Sequence, residues 1–467
     1  MSRAYAVAER AGARPVAIAA TAFMAMQRAT CRGLGLDDVA ITEYPGVITV
    51  DSDETFEQRV REHVVPGFLA RLAERQRNGG PRRLAVAAEP APRDIVFRGD
   101  FDAVQEYFHE RMWSDGLPVV PPTIERIERF LRYTRRAPDE VLGVLLPEMR
   151  EATVWNVAVN GVMAGCRPEY LPVLLAIVEA IADPEFRLLD AGSTPGWEPL
   201  VLLSGPLVKE LKVNVQAGAM RVGAQANTSI GRFLRLYMRN VAGLRTWPGL
   251  TDKATIGQSF LVMLGENDEA LAELGWTPQR VERGFKPEDS VVTVQSVYAV
   301  SPPIYSGGDT PASQLEFITE FLGNSIGPWA FTGLNWARFH PLLVMSPVVA
   351  RVFADAGWSK DDLRRELRAR LKIPAGRMEL YFRHVSASRW TVADSVRAGT
   401  VSTDEYLDSD DPQRLVPMLP RAEWLGIVVA GDGGRNQSRA YINNHGQGPP
   451  VSRKVELPPD WAALRGA

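Results

Sequence analysis

The first 77 residues contain only two segments patterned as buried strands, and this shortage constrains the fold more than any other feature. The two strand patterns are PVAIAAT (15–21) and DVAITEY (38–44), and amphipathic helical patterns precede, separate and follow them. This helix–strand–helix–strand–helix order is typical of a doubly wound parallel sheet. A parallel sheet of two strands has two open edges and too small a core to be stable alone. Residues 1–77 therefore predict a partial α/β unit that the rest of the chain, a second copy or another protein completes.

The length of 467 residues predicts two or three domains. With 45% hydrophobic and 23% charged residues, the composition is that of a soluble globular protein. Residues 78–99 are rich in Pro, Gly, Ala and Arg and predict a linker. Residues 100–467 then form a second, larger unit, which we expect to hold the substrate site.

The charge and cysteine content argue against several classes of protein. A net charge of −3 and a pI near 6.1 give no electrostatic reason to bind nucleic acid or an anionic membrane. No segment approaches the ~20 apolar residues that span a bilayer, and the N-terminal RPVAIAATAFMAMQR is better interpreted as a strand entering a helix than as a signal peptide. Two cysteines cannot form a disulfide framework or a four-thiolate metal site, and no HExxH or histidine cluster indicates a metal. We expect a bacterial-type cytoplasmic location, and the sequence identifies no cofactor.

Strand and helix patterns alternate through the larger unit, which predicts an α/β domain with a mixed sheet. The strand candidates are residues 199–204, 260–264, 291–300, 341–346, 378–382 and 424–431. Two of them share a motif: WEPLVLLSGPLVKEL (197–211) and FHPLLVMSPVVARVF (339–353) both have Pro-Leu, an apolar run, Ser and Pro before a helix. The similarity is either chance between two buried strands or an internal pseudo-twofold repeat. A repeat would bring two strand carboxyl ends together, where ligands bind in open α/β sheets.

Cys166 is the candidate catalytic thiol, in the segment VNGVMAGCRPEYLPVLLAIVEAI (159–181). Pro168 suits the first turn of a helix, and Arg167 is adjacent, so both the helix N-terminus and a cation are expected to lower the thiol pKa. The alternative is a buried structural thiol, because cysteine often acts as a small hydrophobic residue. A functional Cys166 should lie within reach of a cleft.

Two further residues are candidate general acids or bases. Glu266, with Asn267 beside it, follows a predicted strand, which is the position expected of an acid–base group or a substrate ligand. His340 stands at the entry of the strand at 341–346, where a structural hydrogen-bonding role is the alternative. His445 lies in the Gly- and Asn-rich segment INNHGQGPP, which predicts either an exposed loop or a functional one.

The substrate-binding candidates are polar or glycine residues at predicted strand exits, glycine-rich turns and helix starts. Successive amides in a glycine-rich turn and the first turn of a helix both suit an anion, although plain turns and helix caps explain the same residues. The set comprises Ser204, Gly205, Asn227, Thr228, Arg232, Asn267, Asp309, Ser346, Gly431, Asp432, Gly433 and Gly434.

The segments AERAGARPVAIAATAFM and ATCRGLGLDDVAITEYPGVITVDSDETFEQRVREHVVPGFL resemble the C-terminal half of the bacterial UGSC family of (seleno)proteins. The motifs DGLPVVPPT, NTSIGR, GENDE, HPLLVMSP, GWSKDDLR and IVVAGDGGRNQS, together with the Cys166 segment, resemble a family of bacterial proteins that often accompany UGSC domains. Together the two resemblances cover most of the chain. The UGSC redox motif, Cys- or selenocysteine-Gly-Ser-Cys, occurs nowhere in this sequence, and Cys31 does not occupy its place.

The resemblance implies that residues 1–77 receive their missing half from a UGSC-motif partner subunit, that the chain starts after that half, or that the unit is a docking scaffold. The first hypothesis is an enzyme, or the large subunit of one, acting on a small polar molecule by thiol-dependent reduction or carbon–heteroatom bond cleavage with a partner-supplied dithiol. The enzymatic alternative is a cofactor-free lyase or hydrolase using Cys166 or Glu266. The non-enzymatic alternative is a binding or assembly subunit, and a homo-oligomer through residues 1–77 remains open.

Overall fold

The computed structural model describes residues 2–33, 35–48, 51–78, 82–83, 90–188, 196–245, 256–257, 259–331, 339–386, 391–398, 404–443 and 448–466. They form two compact units. Unit 1 comprises the described residues up to Ala91, together with Arg245, residues 382–386 and Thr391. Unit 2 comprises the remaining described residues. Every helix among the described residues is too short or too polar to span a bilayer.

Unit 1 alternates helices and strands as the sequence predicts. Its elements are α1 (Ser2–Arg10), β1 (Ala17–Ala20), α2 (Met24–Gly33), β2 (Leu36–Asp37), β3 (Ile41–Tyr44), α3 (Asp53–Arg59), a π-helical turn (Val60–Val64), α4 (Val65–Asn78) and β4 (Arg82–Arg83). β1 and β3 pair in parallel, with Ala17 opposite Ile41, while β2 and β4 form a short antiparallel pair. In the described part of unit 1, the parallel sheet contains these two strands and no others.

A buried hydrogen-bond network holds the helices of unit 1 around its small core. The hydroxyl of Tyr5 accepts the backbone N–H of Ala40 at 3.0 Å and the Arg75 guanidinium at 2.9 Å. Arg75 also forms an ion pair with Glu9, so it joins α4 to α1. Cys31 is 1% exposed within this core, which indicates a structural thiol.

Unit 2 contains fourteen further helices among its described residues. They are α5 (Phe101–Glu110), α6 (Ile124–Leu131), α7 (Val154–Met163), α8 (Leu171–Ala182), α9 (Leu207–Glu210), α10 (Gln225–Tyr237), α11 (Asp268–Leu274), α12 (Gln279–Glu282), α13 (Pro311–Ile326), α14 (Pro347–Asp355), α15 (Lys360–Arg370), α16 (Ala375–Ser386, which begins here), α17 (Val392–Arg397) and α18 (Trp461–Gly466). α8 is buried on nearly every side because its sequence is almost wholly apolar.

The strands of unit 2 form two mixed four-stranded sheets and two antiparallel two-stranded pairs. They are β5 (Val141–Leu145), β6 (Arg150–Thr153), β7 (Glu198–Ser204), β8 (Leu264–Gly265), β9 (Val291–Val297), β10 (Ala299–Val300), β11 (Leu342–Met345), β12 (Lys372–Pro374), β13 (Leu415–Pro417), β14 (Gly426–Val429), β15 (Ser438–Ile442) and β16 (Val451–Lys454). The first sheet has the order β16-β9-β7-β8 and the second β10-β15-β11-β14. The predicted α/β class with mixed sheets is therefore confirmed.

The two large sheets have the same internal arrangement. β7 pairs in parallel with β8 and antiparallel with β9, and β11 pairs in parallel with β14 and antiparallel with β15. The outermost strands are exchanged: β10 follows β9 but pairs with β15, and β16 follows β15 but pairs with β9. β7 and β11 are the strands that share the sequence motif, so topology and sequence together support a pseudo-twofold repeat.

One predicted strand is wrong, and one is shorter than predicted. Residues 378–382 lie inside α16, where Met378 and Phe382 are buried four residues apart while Leu380 is 49% exposed, which is helical periodicity. Of residues 260–264, only Leu264 is in a strand. The sequence interpretation also missed β15 and β16, whose short patterns carry polar residues within the strand.

Two helical glycines differ in what surrounds them, and alanine at each should change stability in opposite directions. A Cβ at Gly231 in α10 would lie 2.8 Å from the backbone nitrogen of Val262, whereas one at Gly323 in α13 would lie no closer than 3.5 Å to Leu371. Gly231→Ala should therefore lower the free energy of unfolding by about 1–3 kcal/mol despite its better helix propensity. Gly323→Ala should raise it by up to about 1 kcal/mol. Denaturant unfolding of both variants beside the parent chain measures the signs, and equal shifts would contradict this packing.

Candidate functional site

A cavity of about 530 Å³ opens in unit 2 at the amino-terminal ends of β11 and β14. His340, Pro341 and Leu342 line it where β11 begins, and Leu425 and Gly426 line it where β14 begins. Besides His340, its polar lining residues are Gln279, Glu282, Arg283, Gln295, Asp361, Arg364 and Glu423. The size and the mixture of apolar walls with a few polar groups are typical of small-molecule sites.

His340 lies in this cavity as a neutral imidazole. Burial and the positive charge of Arg283 lower the pKa of His340 to about 4. Its backbone N–H donates to Asn443 Oδ1 at 2.6 Å, and its ring centroid lies 5.4 Å from that of Trp424. An imidazole that is uncharged at neutral pH can accept a proton or a hydrogen bond from a bound molecule.

Arg283, directly after α12, places a cation in the same cavity. Burial lowers the pKa of its guanidinium, which the Glu282 charge opposes, and the group remains protonated at neutral pH. One side-chain nitrogen donates to the carbonyl of Pro450 at 3.2 Å. Arg283 has no carboxylate partner at salt-bridge distance among the described residues. Its remaining donors are therefore available to a ligand.

Gln295 on β9 also lines the cavity. The residue is 6% exposed, and its Nε2 is buried without a hydrogen-bond partner in the described structure. A buried polar atom without a partner is costly unless a ligand or water satisfies it. Sequence reasoning missed both Gln295 and Arg283, because a glutamine within a strand and an arginine after a short helix carry no recognisable motif.

Glu266 lies behind the cavity wall rather than in the cavity. The carboxylate is completely buried and accepts the Ser204 hydroxyl at 2.6 Å and the backbone N–H of Gln279 at 3.1 and 3.0 Å. Lys360 Nζ lies 3.7 Å away. Burial raises the pKa of Glu266, and the Lys360 charge opposes that increase. The Glu266 carboxylate therefore fixes the start of α12, and it does not reach a ligand in the cavity.

Glu282 and Arg364 also line the cavity, but they neutralise each other. Arg364 donates to both Glu282 oxygens at 2.9 and 3.0 Å and to Asp361 at 2.7 Å. Lys360 Nζ lies 3.5 Å from Glu282. Among the residues that the structure describes, this pairing leaves Arg283 as the lining cation without a carboxylate at salt-bridge distance.

The strand carboxyl ends expected to form the site do meet, but their polar groups form hydrogen bonds within the chain. Asn267 N–H donates to the carbonyl of Val429 at 2.9 Å, and Gly431 N–H donates to that of Val215 at 2.8 Å. The Ser346 hydroxyl accepts the Gln437 N–H at 3.3 Å. The cavity that holds the imidazole and the cation therefore opens at the opposite ends of β11 and β14.

The residues of the predicted anion-binding loops bind other groups of the chain, face solvent or are needed for packing. In the turn after β14, Gly434 N–H donates to the Asp432 carboxylate at 2.8 Å, and Gly433 is exposed. Asp309 is exposed, and Thr310 rather than Asp309 caps α13. Gly205 is required by packing, since φ is +115° and a Cβ would lie 2.3 Å from the Asp289 carbonyl.

Asn227 and Thr228, near the start of α10, form hydrogen bonds to neighbouring segments of the chain. The helix begins at Gln225 after Ala224, so neither Asn227 nor Thr228 occupies the cap position. The fully buried Asn227 side chain accepts the Asn214 N–H at 2.8 Å and donates to the carbonyls of Asn214 and Met263 at 3.0 Å each. The Thr228 hydroxyl accepts the Gly223 N–H at 3.2 Å.

The Arg232 side chain binds the DGLPVV segment. Two of its guanidinium nitrogens donate to the two Asp115 oxygens at 2.8 Å each, and one also donates to the Pro118 carbonyl at 2.9 Å. This bidentate pair lowers the pKa of Asp115 in spite of its burial. The geometry makes Arg232 a positioning residue for that segment rather than a free anion ligand.

Cys166 lies at a helix end. Its N–H donates to the Gly161 carbonyl at 3.0 Å and Gly165 has φ of +79°, which together form the capping turn that closes α7. The thiol lines a separate cavity of about 190 Å³, so the expectation that it lies beside a cleft is met.

The expected activation of the Cys166 thiol is not found. Burial raises the pKa of Cys166 to about 12, with opposition from a hydrogen bond to Ser229 and from the Arg232 charge. The charge that opposes this rise is that of Arg232 and not that of the adjacent Arg167, whose guanidinium donates to the Gln225 side-chain oxygen at 2.7 Å. A single 3-10 turn, Pro168–Tyr170, precedes α8, so the thiol does not sit at the first amides of a long helix.

The described residues contain no group of three or more His, Cys, Asp or Glu side chains placed to hold a metal ion. His445 lies outside the described residues. No protein-family model matches the chain, and no curated protein matches it. The candidate site therefore rests on its geometry alone.

Cys166 should be nearly inert in the folded protein. A pKa near 12 leaves about a thousandfold less thiolate at pH 7.5 than an ordinary thiol has. Iodoacetamide labelling followed by peptide mass mapping should show slow modification in buffer and rapid modification in denaturant. Labelling of Cys166 at the same rate in both conditions would restore the reactive-thiol hypothesis.

His340 should make stability depend on pH below neutrality. Its pKa is near 4 in the folded protein and near 6.5 in the unfolded chain, so the unfolded state binds more protons between those values. The free energy of unfolding should therefore fall as pH drops from about 6.5 to about 4, with a His340 contribution on the order of 2–3 kcal/mol. His340→Gln should remove that contribution, while the exposed His384→Gln should keep it. Superimposable stability profiles for His340→Gln and the parent would contradict the assignment.

Proposed function

We propose that unit 2 is an enzyme domain whose active site is the His340 cavity and whose substrate is a small polar molecule. The observation that carries the proposal is that three unlike groups line one cavity: a neutral imidazole, a cation and a buried amide. Within the described structure the cation has no carboxylate partner, and the amide nitrogen has no hydrogen-bond partner. Donors that hold ligand oxygens and a proton acceptor beside them are groups that proton-transfer chemistry uses.

Substrate binding would strengthen His340 as a base. In the empty cavity the Arg283 charge contributes to the low pKa of His340. An anion bound to Arg283 offsets that charge, so the pKa of His340 rises toward the range in which an imidazole accepts protons near neutral pH. This coupling favours proton abstraction from a bound substrate, or from a water beside it. The cofactor-free lyase or hydrolase of the sequence analysis fits this chemistry, with His340 in place of Cys166 or Glu266.

A thiol-dependent reaction with a partner subunit is the second proposal, and unit 1 supports it. Its two-stranded parallel sheet is smaller than a stable sheet of this class, as expected of a unit that another chain completes. A UGSC-type partner would supply the dithiol that this chain lacks, and a second copy of the chain would instead make unit 1 an assembly surface. Native mass spectrometry of the chain purified from its own organism separates the two by the mass of the bound subunit.

His340→Gln should abolish turnover while leaving the fold intact. Incubation of a metabolite extract with the protein, followed by mass spectrometry, should reveal a compound that the parent and His384→Gln convert. We expect His340→Gln to convert it at least 100-fold more slowly, because general base catalysis typically contributes about 10²–10⁴-fold.

Turnover that persists in His340→Gln would place the chemistry elsewhere and reopen Cys166. An extract that the parent leaves unchanged would contradict the enzyme assignment and favour the binding or assembly subunit. Circular dichroism and the unfolding midpoint of each variant serve as the folding control.

A further inference from the structure

We infer that the molecule bound in the His340 cavity carries a carboxylate, which Arg283 and Gln295 recognise. The inference rests on the proposed function and adds the chemical class of the substrate. It begins from what the two side chains lack in the described part of the chain: Arg283 has donors without a carboxylate partner, and Gln295 has a buried Nε2 without an acceptor. Both groups can only donate at these atoms, so the ligand must present acceptor oxygens.

The framework places the backbone of Arg283 at the cavity, and the Pro450 carbonyl is the hydrogen-bond partner of its side chain. It directly follows α12, whose first N–H is held by both oxygens of the buried Glu266. The contact of Arg283 with the Pro450 carbonyl uses one of its five donors. A planar guanidinium with free donors matches the two oxygens of a carboxylate.

The other charges in the cavity favour a monoanion over a phosphate. Glu282, Asp361 and Glu423 line the same cavity, and the last two have side chains that are 71% and 67% exposed. Arg364 forms ion pairs with Glu282 and Asp361. Because these carboxylates already have cationic partners, Arg283 is left to balance the ligand, and its single positive charge matches one negative charge rather than the two of a phosphate dianion.

The remaining lining indicates an apolar group attached to the carboxylate. Trp424, Leu342 and the prolines at 341, 449 and 450 form apolar walls. A short acid with an alkyl or aryl substituent can place its charge at Arg283 and its apolar part against these walls. His340 then lies beside the ligand as the proton acceptor.

The test compares acids with their amides, which have the same shape without the charge. Calorimetric titrations with propionate and propionamide, and with benzoate and benzamide, should show at least tenfold tighter binding of each acid. Arg283→Gln should remove the preference and leave the amides unaffected, while Arg61→Gln, a side chain that is 80% exposed, should retain it. Gln295→Met should weaken the binding of acids and amides alike, because it removes a hydrogen-bond donor to the ligand's oxygen without changing the charge of the cavity.

Each outcome bears on a different claim. Amides that bind as tightly as acids, or an acid preference that survives Arg283→Gln, would overturn the carboxylate class. If His340→Gln still abolished conversion of the extract compound, the active-site assignment would stand in that case. Binding of none of the four probes at millimolar concentration would also overturn the inference, and the His340 turnover experiment would then decide the proposed function independently.

Discussion

The buried carboxylate of Glu266 is the interaction on which the cavity geometry depends. A carboxylate without partners in a protein interior is costly, and here the Ser204 hydroxyl, the Gln279 N–H and the Lys360 ammonium offset that cost. Lys360 also faces Glu282, which binds Arg364, so charges alternate from the end of β8 to α15. Because each charge needs its neighbour, α12 and α15 cannot shift independently.

The organisation of the fold was accessible from sequence because it depends on local patterns. Period-2 and period-3.6 hydrophobicity gave the alternating elements of unit 1, and the repeated Pro-Leu motif correctly singled out β7 and β11 as related strands. The residues 378–382 were misassigned because a short apolar run suits either a strand or a buried helix face. The exchange of β10 and β16 between sheets could not be foreseen, since strand pairing across long loops leaves no local signal.

The candidate site was only partly accessible for the same reason. His340 was selected by its place at a strand entry, and it lines the cavity. Glu266 was selected for its place after a strand, but its partners come from Ser204, Gln279 and Lys360, which are distant in sequence. The low pKa of His340 and the high pKa of Cys166 both follow from burial, which composition and spacing do not report.

The two strands that share the Pro-Leu motif, β7 and β11, differ in the residue that stands before the proline. In the motif alignment, His340 corresponds to Glu198, each directly before the proline that enters its strand. Glu198 is 4% exposed and forms an ion pair with Arg235, so in the first half this position is a structural salt bridge. In the second half a histidine replaces the glutamate and lines a cavity whose cation has no carboxylate partner in the described chain. The position before the strand proline therefore forms a buried ion pair at β7, whereas at β11 it lines a cavity.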